Sequence, residues 1–304
     1  MTGTPGLAVG VIGAGAVGQT VGALLVASSW CVQITVVART ELAAAGLATD
    51  LQDMAAVTRT AVRVSATSEA GELTDCDAVV VCPRARFTNT ARTDVRMAGL
   101  TCNAPLIAAL GHRLQGYTGV AIVVTNPVDV MTRVFAETSR ADRVFGIGAH
   151  TDTARYRIAL AHRLRVPLAA VGAHVVGEHG DSAVPCATTL NGHALDLIPD
   201  GALADARSRP ALINAGIGRT RCGPAGAVLA ALAHALGLTD GTLELSTRHR
   251  GAWIGVPVQF TAGQPTVALP RLTPDQDTAL AAAAAKLDTA YRAAAPYLPR
   301  RTAS

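Results

Sequence analysis

A histidine flanked by an acid and by glycines lies at Gly177–Ser182, which reads Gly-Glu-His-Gly-Asp-Ser. The largely apolar run 173–176 before it predicts a strand, so His179 is expected just past the end of a strand. The glycines let the backbone bend and let a small ligand come close. Imidazole is the side chain best suited to move a proton near neutral pH. Most of the eight histidines should be structural, so a catalytic role for His179 depends on the other motifs.

Two further polar motifs each stand where a helix is expected to begin. Asp152 and Arg155 are three residues apart in Thr151–Arg155 and share one helix face. Asp152 could orient an imidazole while Arg155 grips a carboxylate, or the two could form an ordinary surface ion pair. Asn126, in Thr125–Asp129, could donate to and accept from a cofactor or substrate, or serve only as a helix cap.

A glycine-rich turn follows the first predicted strand, Leu7–Ile12, and precedes a predicted helix over 19–27. It reads Gly-Ala-Gly-Ala-Val-Gly, which is G-x-G-x-x-G in the strand–turn–helix context of a dinucleotide-binding fold. The first glycine makes the turn, the second admits a pyrophosphate to the helix N-terminus and the third allows close helix–strand packing. The predicted cofactor-binding residues of this turn are Gly13, Gly15, Ala16, Val17 and Gly18.

The end of the second predicted strand, 33–37, indicates which dinucleotide is bound. An NAD-binding fold usually has an acid here for the adenosine ribose, whereas this chain has Ala38, Arg39 and Thr40. Arg39 could pair with a 2′-phosphate and Thr40 could donate a hydroxyl to it. The sequence therefore favours NADP(H). NAD(H) stays open, because Arg39 could be solvated or could stack on adenine.

Strands that alternate with helices continue to about residue 147 and predict an α/β fold with a Rossmann-type, doubly wound parallel sheet. We expect residues 1–147 to form the dinucleotide-binding domain and 148–304 an α+β substrate or catalytic domain. Within the second part, strands are predicted at 242–247, 252–260 and 266–269. A final helix is predicted from Pro274 to about Ala295, with Thr273 as its N-cap.

Three arginines follow the strand 78–81 on one loop, at positions 84, 86 and 92. A loop after a strand's carboxyl end faces the ligand crevice in such a sheet. These arginines could therefore clamp an anion, although a solvated basic loop is the plainer interpretation.

Composition excludes several other classes of function. The net charge of +4 and the pI of about 8.9 are not concentrated in a basic run, so we do not expect nucleic-acid binding. No uninterrupted apolar run is long enough for a membrane span. Six cysteines without a Cys-x-x-Cys pair predict no zinc site and no disulfide framework, but buried thiols in a reducing cytoplasm.

Taken together, the motifs Gly13–Gly18, Thr125–Asp129, Thr151–Arg155 and Gly177–Ser182 resemble those of the lactate/malate dehydrogenase family, over essentially the whole chain. The resemblance implies a homodimer or homotetramer that transfers hydride between a nicotinamide cofactor and a 2-oxo or 2-hydroxy acid, without a metal. It implies that His179 moves the proton, with Asp152 as its partner, and that Arg155 binds the α-carboxylate. Protonated His179 is expected beside Asp152.

The resemblance also assigns residues on the substrate side. Arg92 matches an arginine on a mobile loop that closes over the substrate and polarises its carbonyl. Asn126 matches an asparagine beside substrate and nicotinamide, and Thr220 matches a position that lines the pocket. Arg86, six residues before Arg92, matches the arginine that binds the distal carboxylate in malate-type members. The predicted substrate is therefore malate or oxaloacetate.

Departures from the family pattern leave two alternatives open. The loop lacks the usual Lys-Pro-Gly and is shorter near its start, so Arg84 could compete with Arg86 for the substrate. Arg219 and Arg221 flank Thr220, which favours an unusual 2-oxo or 2-imino acid as an alternative substrate. A non-catalytic NADP-binding homologue is the second alternative.

Overall fold

The computed structural model describes residues 6–91 and 93–298. Within these residues the strands, numbered in chain order, are β1 Leu7–Ile12, β2 Cys31–Val37, β3 Arg63–Thr67, β4 Ala78–Val81, β5 Val120–Val123, β6 Val144–Gly146, β7 Val171–Gly177, β8 Ala183–Leu190, β9 His193–Ala194, β10 Gly241–His249, β11 Ala252–Thr261 and β12 Gln264–Val267. The α-helices are α1 Ala16–Val26, α2 Glu41–Thr58, α3 Leu100–Arg113, α4 Val128–Ser139, α5 Gly148–Leu164, α6 Ala202–Ile217, α7 Cys222–Ala235 and α8 Pro274–Ala294.

The strands form one sheet, in the order β3-β2-β1-β4-β5-β6-β10-β11-β7-β8-β9, and β12 pairs with β11. The first six are parallel and have the order of a doubly wound dinucleotide fold. The remaining strands pair antiparallel. The predicted α/β class, a parallel sheet followed by an α+β part, is confirmed. The division into two domains at 147/148 stays a prediction, because the sheet runs across it.

The core follows from the aliphatic runs in the sequence. β4 and β5 are buried along their whole lengths, as expected for parallel strands covered on both faces. α8 begins at the predicted residue with a capping box: Gln276 N donates to Thr273 Oγ1, and Thr273 N donates to Gln276 Oε1. The capping box fixes the residue at which α8 begins. α8 packs against β7, β8 and β11.

Some element limits differ from the predictions. β12 lies two residues earlier than the sequence predicts, and β8 is a strand that the sequence pattern does not predict. Among the thiols, Cys102 and Cys222 are exposed, so the expectation of buried cysteines is wrong for these two, which lie in the first turns of α3 and α7. No helix in the described part of the chain is both long and apolar enough to cross a membrane.

Candidate active site

The glycine turn between β1 and α1 has the shape that a dinucleotide requires. Gly13 has a positive φ of 119°, which glycine adopts without strain. A Cβ on Gly18 would stand 1.8 Å from Gly13 O, whereas one on Gly15 would meet no atom within 4 Å. Gly18 therefore serves close packing, and the space over Gly15 and the N-terminus of α1, where Ala16 and Val17 lie, is open to a pyrophosphate.

The end of β2 leads directly into α2 beside this turn, since Gly13 N donates to Val37 O at 2.8 Å. Arg39 and Thr40 are exposed, and Ala38 is half-buried. Thr40 is the N-cap of α2, and its hydroxyl oxygen accepts from Ala43 N. The hydroxyl hydrogen stays available as a donor. The two side chains predicted to bind a 2′-phosphate are thus accessible at the dinucleotide edge of the sheet.

His179 and Asp152 form a close pair between the β7–β8 turn and the first turns of α5. His179 Nδ1 lies 2.6 Å from Asp152 Oδ2, and the exposed fractions of the two side chains are 9% and 15%. The imidazole packs on Gly148, where a Cβ would lie 2.4 Å from that of His179. One carboxylate oxygen therefore fixes the orientation of the ring.

The second oxygen of Asp152 faces two arginines. Arg155 Nη1 donates to Asp152 Oδ1 at 3.2 Å, and Arg96 Nη2 lies 3.8 Å from the same oxygen. Arg155 comes from the same helix face as Asp152, as predicted, whereas Arg96 arrives from the loop that precedes α3. A small cleft beside the three side chains is lined by Arg96, Asp152, Gly180, Ala183, Leu203, Ala206 and Arg207.

Burial and charge set the protonation of this group. Burial and then the nearby Arg96 lower the pKa of His179 below its ordinary value, although Asp152 acts in the opposite direction. Burial acts to raise the pKa of Asp152, but His179, Arg96 and Arg155 outweigh it and keep that pKa low. The direction of the His179 shift thus runs against the expectation that Asp152 makes His179 cationic, and that expectation stays a prediction.

The arginines of the loop after β4 differ in their contacts and in their exposure. Arg84 stacks on the ring of Phe87, with its guanidinium carbon 4.2 Å from the ring centre. Arg86 is exposed, and Arg92 lies outside the described residues. The predicted roles of Arg86 and Arg92 therefore stay predictions. Arg96, which sequence reasoning did not single out, is the loop arginine that the structure brings to Asp152 and His179.

Asn126 lies where β5 meets α4, and it is not a helix cap, because Pro127 occupies that position. Its carbonyl oxygen accepts from Asn103 Nδ2 at 2.7 Å, while Asn103 Oδ1 accepts from Ala85 N at 2.9 Å. The buried Asn103, another residue that the sequence does not single out, thus ties the arginine loop to Asn126.

Thr220 is half-buried in the link between α6 and α7. No hydrogen bond joins Thr220 to the histidine group among the residues that the structure describes.

Asp129, on the first turn of α4, binds the backbone of the turn Glu178–Ser182 that carries His179, which is called the catalytic turn below because of the role proposed for His179. Its Oδ2 accepts from His179 N at 2.8 Å, and the side chain is buried. Burial raises the pKa of Asp129 to about 7, against the effect of the His179 amide. Asp129 belongs to the motif Thr125–Asp129, but the sequence of this motif points to a role for Asn126 and gives no sign of the contact between Asp129 and the His179 backbone.

Comparisons with known proteins show which proteins this chain resembles. Residues 7–146 match the family model described as the lactate/malate dehydrogenase NAD-binding domain. The chain is 34% identical over 185 residues to a malate dehydrogenase of Sulfurimonas denitrificans, covering 60% of this chain and 57% of the relative. It is 33% identical over 179 residues to L-lactate dehydrogenase 2 of Lactiplantibacillus plantarum, covering 57% and 56%. The matched stretch thus spans a little over half the length of these curated relatives.

Solved structures extend the likeness to nearly the whole chain. Malate dehydrogenase from Plasmodium falciparum superposes with a TM-score of 0.86 at 19% identity, over 96% of this chain and 99% of that one. Malate dehydrogenase from Salinibacter ruber gives a TM-score of 0.81 at 26% identity, over 94% and 97%. Residues 7–146 thus match the NAD-binding domain of the lactate/malate dehydrogenase family, and nearly the whole chain shares the fold of these dehydrogenases.

Proposed function

We propose that this protein is a dehydrogenase that interconverts a 2-oxo acid and a 2-hydroxy acid, with a preference for NADP(H) and for oxaloacetate and malate. The observation that carries the proposal is the group around Asp152, which joins a proton-transfer residue, His179, to the guanidinium groups of Arg155 and Arg96. Such a group brings a proton-transfer residue and two anion-binding cations to one carboxylate.

The residues at the dinucleotide edge fit a nicotinamide dinucleotide. The open space over Gly15 and the N-terminus of α1 can hold the pyrophosphate. The exposed Arg39 and Thr40 would bind a 2′-phosphate, and position 38 is alanine, so no acid there would repel it. When bound, the reduced nicotinamide supplies the hydride.

The protein's own residues supply the rest of the chemistry. Arg155 binds the substrate carboxylate as a fork, and this anion offsets guanidinium charge near His179. The pKa of His179 therefore rises when the substrate binds, since nearby cations had lowered it. His179 then donates its proton to the carbonyl oxygen, and Arg96 stabilises the charge that develops there.

The charge around Arg155 supports an anionic substrate with more than one carboxylate. Arg209 of α6 is close enough to contribute to the lowered pKa of Arg155, after burial and Arg96. Arg86 is exposed on the loop, while Arg84 is engaged with Phe87. Arg86 is therefore the better candidate for a distal carboxylate. Arg207 and Arg209 also favour the second candidate, an unusual 2-oxo or 2-imino acid with an additional anionic group.

Initial rates with NADPH and NADH test the proposal, using oxaloacetate, pyruvate and a panel of larger 2-oxo acids with and without ammonia. We expect oxaloacetate with NADPH to be fastest. Arg39→Ala should lower kcat/KM for NADPH by about tenfold, the cost of one charge-assisted phosphate contact, and leave that for NADH nearly unchanged. Faster turnover with NADH contradicts the cofactor assignment. Binding of NADPH without turnover of any acid indicates a non-catalytic homologue.

Self-association is proposed as well. Exposed apolar side chains lie on α2, where Leu42 and Val57 are 85% and 83% exposed, and on α6, where Leu212 is 76% exposed. Burying such side chains between copies would stabilise a homodimer or homotetramer. Light scattering after size exclusion measures the mass, and a monomer at micromolar concentration contradicts this proposal. A cytoplasmic location stays a prediction.

A further inference from the structure

Lys286 is the sole lysine of the chain, and it contacts both sides of the candidate active site. It lies in α8, within an otherwise alanine-rich stretch, and 29% of its side chain is exposed. Its ammonium group donates to Glu178 Oε2 at 2.8 Å and also to Asp94 Oδ1. Glu178 precedes His179, while Asp94 lies on the arginine loop two residues before Arg96.

Glu178 holds the ammonium group at a fixed place. Its side chain is 1% exposed, and Oε2 also accepts from Ser182 N at 3.0 Å. A Cβ on Gly180 would lie 2.6 Å from Glu178 Oε1, so the carboxylate folds back over the catalytic turn. A buried carboxylate needs a cation nearby, and Lys286 is that cation. The lysine is therefore anchored to the turn that carries His179.

Asp94 attaches the loop to the same place. Besides its contact with Lys286, its backbone N donates to Asp181 Oδ2 at 3.0 Å, and its carbonyl accepts from Met97 N at 2.8 Å. The tight turn that follows leads into Arg96, whose guanidinium reaches Asp152. Lys286 and Asp181 thus hold one residue of the loop from two sides, next to the arginine that faces the histidine pair.

We infer that Lys286 is a positioning residue that aligns Arg96 with His179, because one ammonium group is shared by the loop at Asp94 and the catalytic turn at Glu178. This inference rests on the proposed dehydrogenase function. Displacement of the loop would expose Asp94 and leave Lys286 with Glu178 alone. Docking of the loop completes the three-group contact and places Arg96 at the substrate carbonyl. In this role Lys286 acts through Arg96 and needs no contact of its own with substrate or cofactor.

Steady-state kinetics of Lys286→Met and Asp94→Asn test this role. We expect each variant to lower kcat by about tenfold, the effect of a small misplacement of a catalytic group. The double variant should be no slower than the worse single variant, because both remove the same contact. Lys286→Arg should recover part of kcat. The dissociation constant for NADPH, measured by fluorescence, should stay unchanged, since the dinucleotide turn is elsewhere.

Stability separates positioning from a merely structural role. Lys286→Met leaves Glu178 buried without its cation and should lower Tm, whereas Asp94→Asn, at a half-exposed residue, should leave Tm nearly unchanged while still lowering kcat. Should Lys286→Met fail to fold, Asp94→Asn still tests the contact. Asp277→Asn is the matched control on α8, because its pair with Arg250 is long and exposed. It should leave kcat unchanged.

The single lysine permits a second readout that does not depend on turnover. Acetic anhydride modifies Lys286 and the N-terminal amine, and mass spectrometry measures each separately. We expect NADPH with oxamate, an unreactive 2-oxo acid analogue, to protect Lys286 about tenfold, as burial of the amine slows acylation.

Two results distinguish failure of this inference from failure of the proposed function. Active wild-type enzyme together with unchanged kcat in Lys286→Met and Asp94→Asn overturns the positioning role alone. Absence of turnover in the wild type overturns the proposed function. In that case protection of Lys286 by NADPH and oxamate still supports the shared contact, and lack of protection overturns it.

Discussion

At the scale of single residues, the pairing of His179 with Asp152 was predictable, and the charged residues around the pair were not. Asp152, Arg155 and His179 lie in short motifs whose local spacing fixes their relative position, and the structure brings them together. Arg96 is one of several arginines on a loop, and only the path of that loop relative to α5 decides which one reaches Asp152. Lys286 is distant in sequence from both of its partners. Contacts between residues that are far apart in the chain leave no periodic pattern in the sequence, so the sequence alone does not predict them.

The pH dependence of reduction tests Arg96. In the proposed mechanism reduction needs protonated His179, so kcat/KM for the 2-oxo acid should fall as the pH rises through the pKa of this residue. Arg96 lowers that pKa and Asp152 raises it. Arg96→Gln should therefore move the falling limb to higher pH, and Asp152→Asn should move it to lower pH. Arg96→Gln should also lower kcat/KM by about a hundredfold, as expected for a lost oxyanion donor.

Two further variants complete this experiment. Arg113→Gln is the control, because its pair with Glu69 is exposed, and it should not change the pH profile. Arg92→Gln tests the assignment made from the sequence. A hundredfold loss in Arg92→Gln, with little change in Arg96→Gln, would transfer the role back to Arg92.

At the scale of elements, local patterns predicted most strands and helices. The limits of β1 and β4 agree with the predictions, and α8 starts at the predicted cap. β8 was missed because Pro185 interrupts its pattern and because its pairing with β7 is irregular between Gly172 and His174. Both features weaken the alternation that identifies a strand.

The glycine turn offers a prediction at this scale, since two of its glycines have different neighbours. Gly15→Ala adds a methyl group to open space, so the free energy of unfolding should change by less than about 1 kcal/mol, while NADPH binding weakens at least about tenfold through loss of close approach. Gly18→Ala places a methyl group against Gly13 O and should destabilise by about 3 kcal/mol. Urea denaturation and NADPH fluorescence measure the two effects. If Gly15→Ala and Gly18→Ala changed the free energy of unfolding and the affinity for NADPH to the same extent, the different roles given to the two glycines would be wrong.

At the scale of the whole molecule, a buried carboxylate links elements that are far apart in the chain. Glu244 of β10 accepts from His150 Nδ1 of α5 at 3.0 Å and from His174 Nδ1 of β7 at 2.6 Å. Burial acts to raise the pKa of Glu244, but both histidines outweigh it and lower that pKa from 4.5 to about 2. No local pattern predicted this cluster, because it depends on the packing of α5 against β7 and β10.

Acid unfolding measures the contribution of Glu244. Because the pKa is depressed on folding, the stability that it provides is present above about pH 4.5 and is lost as the pH falls toward 2. Glu244→Gln should therefore lower the free energy of unfolding at pH 7 by up to about 3 kcal/mol, and should make the decline below pH 4.5 less steep. Glu69→Gln, at an exposed pair, should change it by less than about 0.5 kcal/mol. If the free energy of unfolding fell equally steeply below pH 4.5 in the wild type and in Glu244→Gln, the proposed contribution of Glu244 would be wrong.

The β10–β11 hairpin gives the sheet an uneven stiffness. Its two strands share nine residue pairs, but it is joined to β6 only at Ser246–Gly146 and to β7 only at Gly255–Gly177. Few backbone hydrogen bonds therefore join the hairpin to β6 on one side and to β7 on the other, so at these two junctions the backbone ladder itself offers the least resistance to bending. His179 lies two residues beyond the Gly177 junction. A small rotation at the Gly177 junction would change the distance between His179 and the edge of the sheet that carries the glycine turn. Strain in the hairpin would therefore alter the distance between the proton donor and the cofactor site.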